Sequence, residues 1–193
     1  MFEFMLHSRK GWTSGNFKTL YQAGRLDIVY QCILTSIFKS HAHRHDVIFH
    51  AILNGPPGPP QRLEVNGDEL HDVRLDEHSW EQLIRNVLNG QSHPGVKAEK
   101  GSLQKLVQVK TGQEIPIYVL EERGRHIREI DFDESAVFVL GDHIGLPKND
   151  EKFVLRYGEK VSLGKQRYLA ASCIDIINYV LDEYVLNKFN YKR

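Results

Sequence analysis

Apolar residues along this chain switch between two spacings, and the switches mark out alternating strands and helices. Phe2 to His7 is a short strand-like run, followed by a polar stretch from Ser8 to Asn16 that contains Gly11 and Gly15 and reads as a loop. From Leu26 the apolar positions are Leu26, Val29, Tyr30, Ile33, Leu34 and Ile37, which is the i, i+3, i+4, i+7 spacing of an amphipathic helix. Asp46 to Leu53 is a compact apolar run closed by Asn54-Gly-Pro-Pro-Gly-Pro-Pro60, which predicts a buried strand ending in a stiff loop. Arg62 to Val65, Asn66-Gly67 and Asp68 to Leu70 predict a small hairpin, because Asn-Gly favours the primed turns.

The pattern then returns to helical spacing. Asp76 to Leu88 carries Trp80, Leu83, Ile84, Val87 and Leu88 on one side, and Asn89-Gly90 stops it. Gln91 to Gly101 is polar and reads as a loop, after which Ser102 is placed to cap a short helix over Leu103 to Val109. Ile115 to Leu120 and Ala136 to Leu140 are two further apolar strands, and Phe153 to Arg156 is another candidate after the Pro147 to Asp150 turn. The closing helix, about Tyr168 to Tyr184, has Leu169, Cys173, Ile176, Ile177, Val180, Leu181 and Tyr184 in register, with Ala170, Ala171 and Ile174 beside them. So wide an apolar face calls for burial against more than one partner. Strands alternating with helices give an α/β class with a mostly parallel sheet flanked by helices. No repeat, linker or low-complexity tract interrupts it, so residues 1–193 read as a single domain.

Composition narrows the setting without naming the chemistry. The 193 residues are 41% apolar and 26% charged, with a formal net charge of zero. Global charge therefore gives no argument for nucleic acid, although a balanced chain can still gather cations on one face. The candidates are dispersed: Arg9-Lys10, Lys97, Lys100, Lys105, Lys110 and Tyr191-Lys-Arg193. Two cysteines, Cys32 and Cys173, each lie in an apolar helical pattern and form no disulfide framework. The N-terminus lacks the basic region, long apolar core and cleavage site of a signal peptide. No apolar run reaches the roughly 20 residues that span a bilayer. The expectation is a cytoplasmic protein with no membrane association.

Two glycine loops hold the first candidate chemistry. Ala136-Val-Phe-Val-Leu-Gly-Asp-His-Ile-Gly-Leu-Pro147 runs a buried strand into Gly141 and Gly145, and Val161-Ser-Leu-Gly-Lys-Gln166 places Gly164 just before the final helix. Ligands of open α/β sheets bind outside the carboxyl ends of the strands, and glycine lets backbone approach a ligand closely. Spacing alone favours plain turns, since glycine is the default turn residue. Neither loop matches a phosphate-binding P-loop, because Gly164-Lys165 is followed by Gln166 and not by Ser or Thr, which argues against a nucleoside triphosphate.

These loops, with the Ala-Ala-Ser-Cys173 helix, resemble the cofactor-binding half of SPOUT (trefoil-knot) methyltransferases. The likeness is nearest to the archaeal family that methylates N1 of pseudouridine in the tRNA T-loop, at position 54, and to its bacterial homologues. It extends upstream through Ser40-His-Ala-His-Arg-His-Asp46, the strand after it and the proline-rich loop, and so covers nearly the whole chain. The resemblance implies S-adenosyl-L-methionine as cofactor, RNA (tRNA first) as partner, a homodimer with its site near the subunit interface, and a C-terminal trefoil knot over about residues 115–193. A knot departs from the general rule for protein chains, and nothing in the periodicity indicates one. By position, the resemblance puts the cofactor against Leu120, Gly141, Ser162, Leu163, Gly164 and Cys173. Cys173 on its own reads as a small buried hydrophobe with no cation nearby to make it a nucleophile.

The same likeness places Arg44 and Asp46 on the substrate side. Arginine can hold a phosphate bidentately, and the carboxylate can hydrogen-bond a base edge or orient a proton acceptor. A local salt bridge at the strand start explains the pair equally well. His41, His43, His45 and His50 surround them, but alternating loop histidines supply no tetrahedral set, and no metal is expected. This histidine-rich loop departs from the arginine-rich version of the archaeal enzymes. The Pro56 to Pro60 loop is a rigid wall, or simply a rigid connector. The expected reaction is methyl transfer from a sulfonium to a uracil-ring nitrogen, in which alignment supplies much of the rate. The alternatives are another RNA target, such as ribosomal RNA, and a dimeric RNA-binding module without catalysis.

Overall fold

The central strands are apolar on both faces, as strands covered on two sides must be. The computed structural model describes residues 1–132 and 134–190, with side chains of the last helix described through Tyr184. In chain order the elements are β1 (Phe2–Ser8), α1 (Leu26–Ile37), β2 (Phe38–Lys39), β3 (Ala42–His43), β4 (Val47–Leu53), β5 (Gln61–Asn66), α2 (Glu77–Leu88), β6 (Val96–Lys100), α3 (Leu103–Gly112), β7 (Ile117–His126), β8 (Ala136–Gly141), α4 (Lys148–Val154), β9 (Glu159–Ser162) and α5 (Ala170–Asn190). The basic tail Tyr191-Lys-Arg193 lies outside the described residues.

Among the described residues, seven strands form one sheet in the order β6-β5-β4-β1-β8-β7-β9. Strands β4, β1, β8, β7 and β9 run parallel, while β5 and β6 add an antiparallel edge. The mostly parallel sheet flanked by helices is thus what the chain forms. Register aligns Phe4 with Phe49 on one side and Phe138 on the other, and the Phe4 and Phe138 rings stack 5.6 Å apart. Successive strand residues point to opposite faces. Phe4, Leu6, Phe49 and Phe138 join the core made with α1, α2 and α5, whereas Met5, Val119, Val137 and Val139 join a second core made with α3 and α4. Two helix starts form as their sequences direct: Asp76 accepts the Ser79 N–H at 2.9 Å, and the Ser102 hydroxyl accepts the Lys105 N–H at 3.2 Å.

Four expectations need correction. The Asn66-Gly67 turn forms, with the Asn66 side chain accepting the Asp68 N–H at 3.1 Å, but no hairpin to Leu70 follows. Instead β5 pairs with β4 and β6, because Gly67 is drawn onto β4 by its N–H to the Val47 carbonyl. The polar stretch Gln91 to Gly101 contains β6, an edge strand in which Val96 is buried and Lys97 and Glu99 face solvent, so its signal resembles a loop. Phe153 to Arg156 is not a strand. Helix α4 runs from Lys148 after Pro147, whose carbonyl accepts the Glu151 N–H, and the strand falls later, at β9. The polar segment before β4 folds its ends into the small β2–β3 hairpin rather than an unstructured loop.

Candidate active site

Because β8, β7 and β9 are adjacent and parallel, their carboxyl ends emerge side by side. Val119 pairs with Val139 and Leu120 with Val161, so Leu120, Gly141 and Ser162 lie on neighbouring strands at the same end of the sheet. Strand spacing of about 4.8 Å puts the outer two about 10 Å apart. After Leu120, β7 loops out and pairs again at Arg125 with Val161.

Each glycine loop is braced by its own chain. A Cβ at Gly141 would sit 2.2 Å from the Leu146 nitrogen, so only glycine lets the loop fold back there. Asp142 holds that fold: one carboxylate oxygen accepts the Arg9 N–H at 2.8 Å and the other accepts the Ile144 N–H at 2.9 Å. In the second loop the Ser162 hydroxyl donates to the Glu122 carbonyl and accepts the Gly164 N–H, both at 3.1 Å. Gly145 and Gly164 adopt φ of 87° and 113°, and nothing lies within 4 Å of where their side chains would begin. These two glycines therefore face open space, while Gly141 serves the loop's own closure.

Apolar walls flank the open space. Leu120, Leu163, Ala170 and Ala171 are half-buried against the core that includes Cys173. The Cys173 thiol lies 3.8 Å from the Tyr168 carbonyl, and burial pushes its pKa up to about 11. At neutral pH it is a protonated, inert thiol. The structure thus brings Leu120, Gly141 and the Ser162-Leu163-Gly164 loop to one end of the sheet, while Cys173 sits in the core below the first turn of α5.

Arg44 and Asp46 lie at the other end. They precede β4, whose first residue, Val47, pairs with Phe2 at the amino end of β1. Seven residues of β4 separate that end from the carboxyl ends, a distance of about 20 Å at ~3.3 Å per residue. Arg44 is held by a distant helix rather than a local partner: its two terminal nitrogens donate to the two Asp182 oxygens of α5, each at 2.6 Å. That fork raises the Arg44 pKa further and holds Asp182 below the usual carboxylate range. Burial pushes nearby Asp175 up, against the pull of Arg44. The Asp46 side chain is exposed, and its carbonyl accepts the Phe2 N–H at 2.8 Å.

The histidines divide. The His43 and His45 rings sit 4.3 Å apart beside Arg44, and His41 is exposed in a left-handed turn with φ 60°. His50 is buried inside β4 between Glu3 at 2.9 Å and Glu64 at 3.4 Å, in a network that Lys110 joins through Glu3 at 2.5 Å. Among the described residues no group of His, Cys, Asp and Glu is arranged to hold a metal, and no helix is long and apolar enough to cross a membrane. The proline loop lies at the carboxyl end of the sheet, where the Thr13 N–H reaches the Pro56 carbonyl at 2.8 Å and the Thr13 hydroxyl accepts the Gly58 N–H at 2.9 Å.

Sequence reasoning missed His7. It is buried on β1, with Nε2 3.2 Å from Asp150 of α4 and 3.2 Å from the Asn54 amide at the start of the proline loop. Burial holds its pKa below the ordinary value, against the pull of Asp150 and Asp142. Its carbonyl accepts the Asp142 N–H at 3.1 Å, so one residue ties both loops together. A lone strand histidine gives no sign of this; Asp142 directly after Gly141 does, as an Asx-type turn. An apolar stripe along α5 and the residue before it reaches the surface: Leu169 is 74% and Tyr179 56% exposed, with Ile176 half-buried between them and the Arg128 guanidinium 5.7 Å over the Tyr179 ring.

Known proteins resemble this chain throughout its length. A family described as "Putative SAM-dependent RNA methyltransferase" matches residues 1–186. The tRNA (pseudouridine(54)-N(1))-methyltransferase of Methanococcus maripaludis (strain C5) is 35% identical, over 95% of this chain and 99% of its own length. The enzyme of the same name from Methanocaldococcus jannaschii is 34% identical, over 95% and 97%. Among solved structures, Archaeoglobus fulgidus Nep1 bound to S-adenosylhomocysteine superposes with a TM-score of 0.62 at 17% identity, covering 83% of this chain and 70% of that one. That likeness is one of fold.

Proposed function

Since the chain belongs to the family of S-adenosylmethionine-dependent RNA methyltransferases, we propose that it methylates N1 of pseudouridine at position 54 of tRNA, as the names of its relatives describe for them. The observation that carries this reading is the pair of self-braced glycine loops on adjacent strand ends, open at Gly145 and Gly164. Their donor set suits the cofactor: backbone amides and carbonyls can read the adenine edge, and Leu120 and Leu163 can cover its faces. The bound cofactor supplies a methyl group on a sulfonium, whose leaving group needs no protonation. No thiol nucleophile is called for, in keeping with the buried Cys173.

The chain's own contribution is alignment and a proton acceptor. Asp46, exposed at the start of β4, takes the N1 proton directly or through a water. Arg44, forked onto Asp182 through both terminal nitrogens, anchors the segment that carries Asp46 to α5 and so positions that carboxylate. These groups lie about 20 Å from the donor loops of the same chain, so the reading requires a homodimer in which each copy completes the other's site. The Leu169–Ile176–Tyr179 stripe that reaches the surface supports such an interface. A C-terminal trefoil knot over about residues 115–193, one domain throughout and a cytoplasmic setting belong to the same reading.

The test supplies tritiated S-adenosylmethionine in separate reactions with ribosomal RNA and with two otherwise identical tRNAs, carrying pseudouridine or uridine at position 54. Label is expected on the pseudouridine tRNA only. Label on ribosomal RNA alone moves the substrate elsewhere, and tight RNA binding with no transfer to any RNA leaves a binding module.

A further inference from the structure

A furrow on the α2 side of the molecule has no part in the chemistry described so far. It consists of two hollows of about 330 Å³ and 250 Å³ that share Asp72 and Val73. The first is edged by the β2–β3 hairpin, with Phe38, Lys39, His41 and His43 facing His71. The second runs along α2, where Arg74, Gln82, Asn86 and His93 surround Trp80. Each wall holds a buried ring nitrogen with no hydrogen-bond partner, Nε2 of His43 in the first and Nε1 of Trp80 in the second. Such atoms are costly to bury unpaired unless something else meets them. His41 and Asp72 both line the first hollow with left-handed backbone, at φ of 60° and 54°.

The composition matches unpaired RNA. Trp80 is buried and forms the floor, while the Phe38, His41, His71 and His93 rings give accessible flat surfaces on which any base can stack; amide, imidazole and guanidinium groups read base edges and phosphates. Asp72 is the one carboxylate on the lining, against Lys39, Arg74 and the histidines. Each volume is near the lower bound of small-ligand pockets, roughly 300 Å³, the scale of one nucleotide. The hairpin that forms one wall leads directly into Arg44 and Asp46. We propose that this furrow holds unpaired nucleotides of the RNA substrate next to the target, one in each hollow. The inference rests on the functional reading above for the identity of the RNA.

Two measurements on the full chain test it. Lys39, His71, Arg74 and Asn86 are exposed, so their replacement leaves the core intact. His71→Ala with Asn86→Ala is expected to weaken tRNA binding in a filter assay by about fivefold or more, the loss of a stacked, hydrogen-bonded base. S-adenosylmethionine affinity by calorimetry should not change. In parallel, wild-type protein irradiated with tRNA containing 4-thiouridine should cross-link within 38–43 or 70–86. Unchanged tRNA affinity in the double variant, or cross-links confined to other segments, overturns the proposal. The functional reading fails separately: cross-linking in the furrow without methyl transfer to pseudouridine keeps the subsite and removes the assigned reaction.

Discussion

The two ends of the parallel sheet are built from different materials. At the carboxyl ends, main chain dominates: Gly141 folds onto Leu146, Gly164 is held by the Ser162 hydroxyl, and half-buried leucines line the space. At the amino end, side chains dominate: Arg44 is forked onto Asp182, Asp46 is exposed, and the His43 and His45 rings lie beside them. A donor that needs orientation and cover calls for rigid backbone and apolar walls, whereas an RNA nucleotide calls for charge and hydrogen bonding. These ends lie about 20 Å apart in one chain, so the reaction proposed above requires two copies.

The sharpest way to break this contrast is complementation. An Asp46→Ala chain and a Gly164→Val chain should each be inactive alone. Co-expressed, they should recover about a quarter of wild-type activity, because half of the random pairs are mixed and each mixed pair has one intact site. No recovery, with heterodimers confirmed by mass spectrometry, removes the shared site. Asp46→Asn alone should lower kcat by roughly 10²- to 10⁴-fold, the usual worth of a general base. Its cofactor affinity by calorimetry should match wild type; a parallel fall in both would put Asp46 at the donor end.

Gly141→Ala tests the donor end directly. The added carbon meets backbone at 2.2 Å, and forcing it in costs about 1–3 kcal/mol. Cofactor binding should weaken about ten- to a hundredfold, and unchanged affinity would mean that the loop's closure is irrelevant to it. Asp182→Asn tests the amino end. Asp182 is half-exposed although Arg44 is mostly buried, so the loss is about 0.5–1 kcal/mol, or roughly 1–4 °C in Tm. Because the Asp182 pKa is depressed by Arg44, its contribution is present above the ordinary carboxylate value and fades as pH falls through the depressed one. Melting curves of wild type and variant should therefore converge in acid; a gap that persists at low pH assigns the effect to packing. Smallest of all, Cys173→Ala should change kcat by less than about tenfold, where losing a nucleophile costs on the order of 10⁴ or more. Iodoacetamide should label Cys173 slowly at neutral pH, since its thiol titrates near 11.

Legibility in the sequence followed how local each feature was. β1, β4 and β8 were readable because strands buried on both faces are continuous apolar runs, α2 because its apolar positions keep helical spacing up to Asn89-Gly90, and α3 because Ser102 announces its start. β6 was not, because an edge strand with alternating lysine and glutamate looks like a loop until β5 supplies its partner. The hairpin after Asn66 failed for the related reason that a turn signal fixes the turn and not the strand's partner. At the candidate site, motif likeness named Leu120, Gly141, Ser162, Leu163, Gly164 and Cys173, and of these Leu120, Gly141 and Ser162 end neighbouring strands. It could not show that Gly141 serves the loop itself, or that His7 ties that loop to the proline loop.

What the sequence determined by itself was the alternation of elements, the two glycine loops and the resemblance those loops carry, all written in residues a few positions apart. Tertiary structure alone decided that Arg44 belongs to Asp182, that it faces away from the donor loops of its own chain, and that two ring nitrogens are left unpaired along one furrow. Each of these depends on side chains brought together across the fold, where the partner is set by sheet order and helix packing and leaves no local trace.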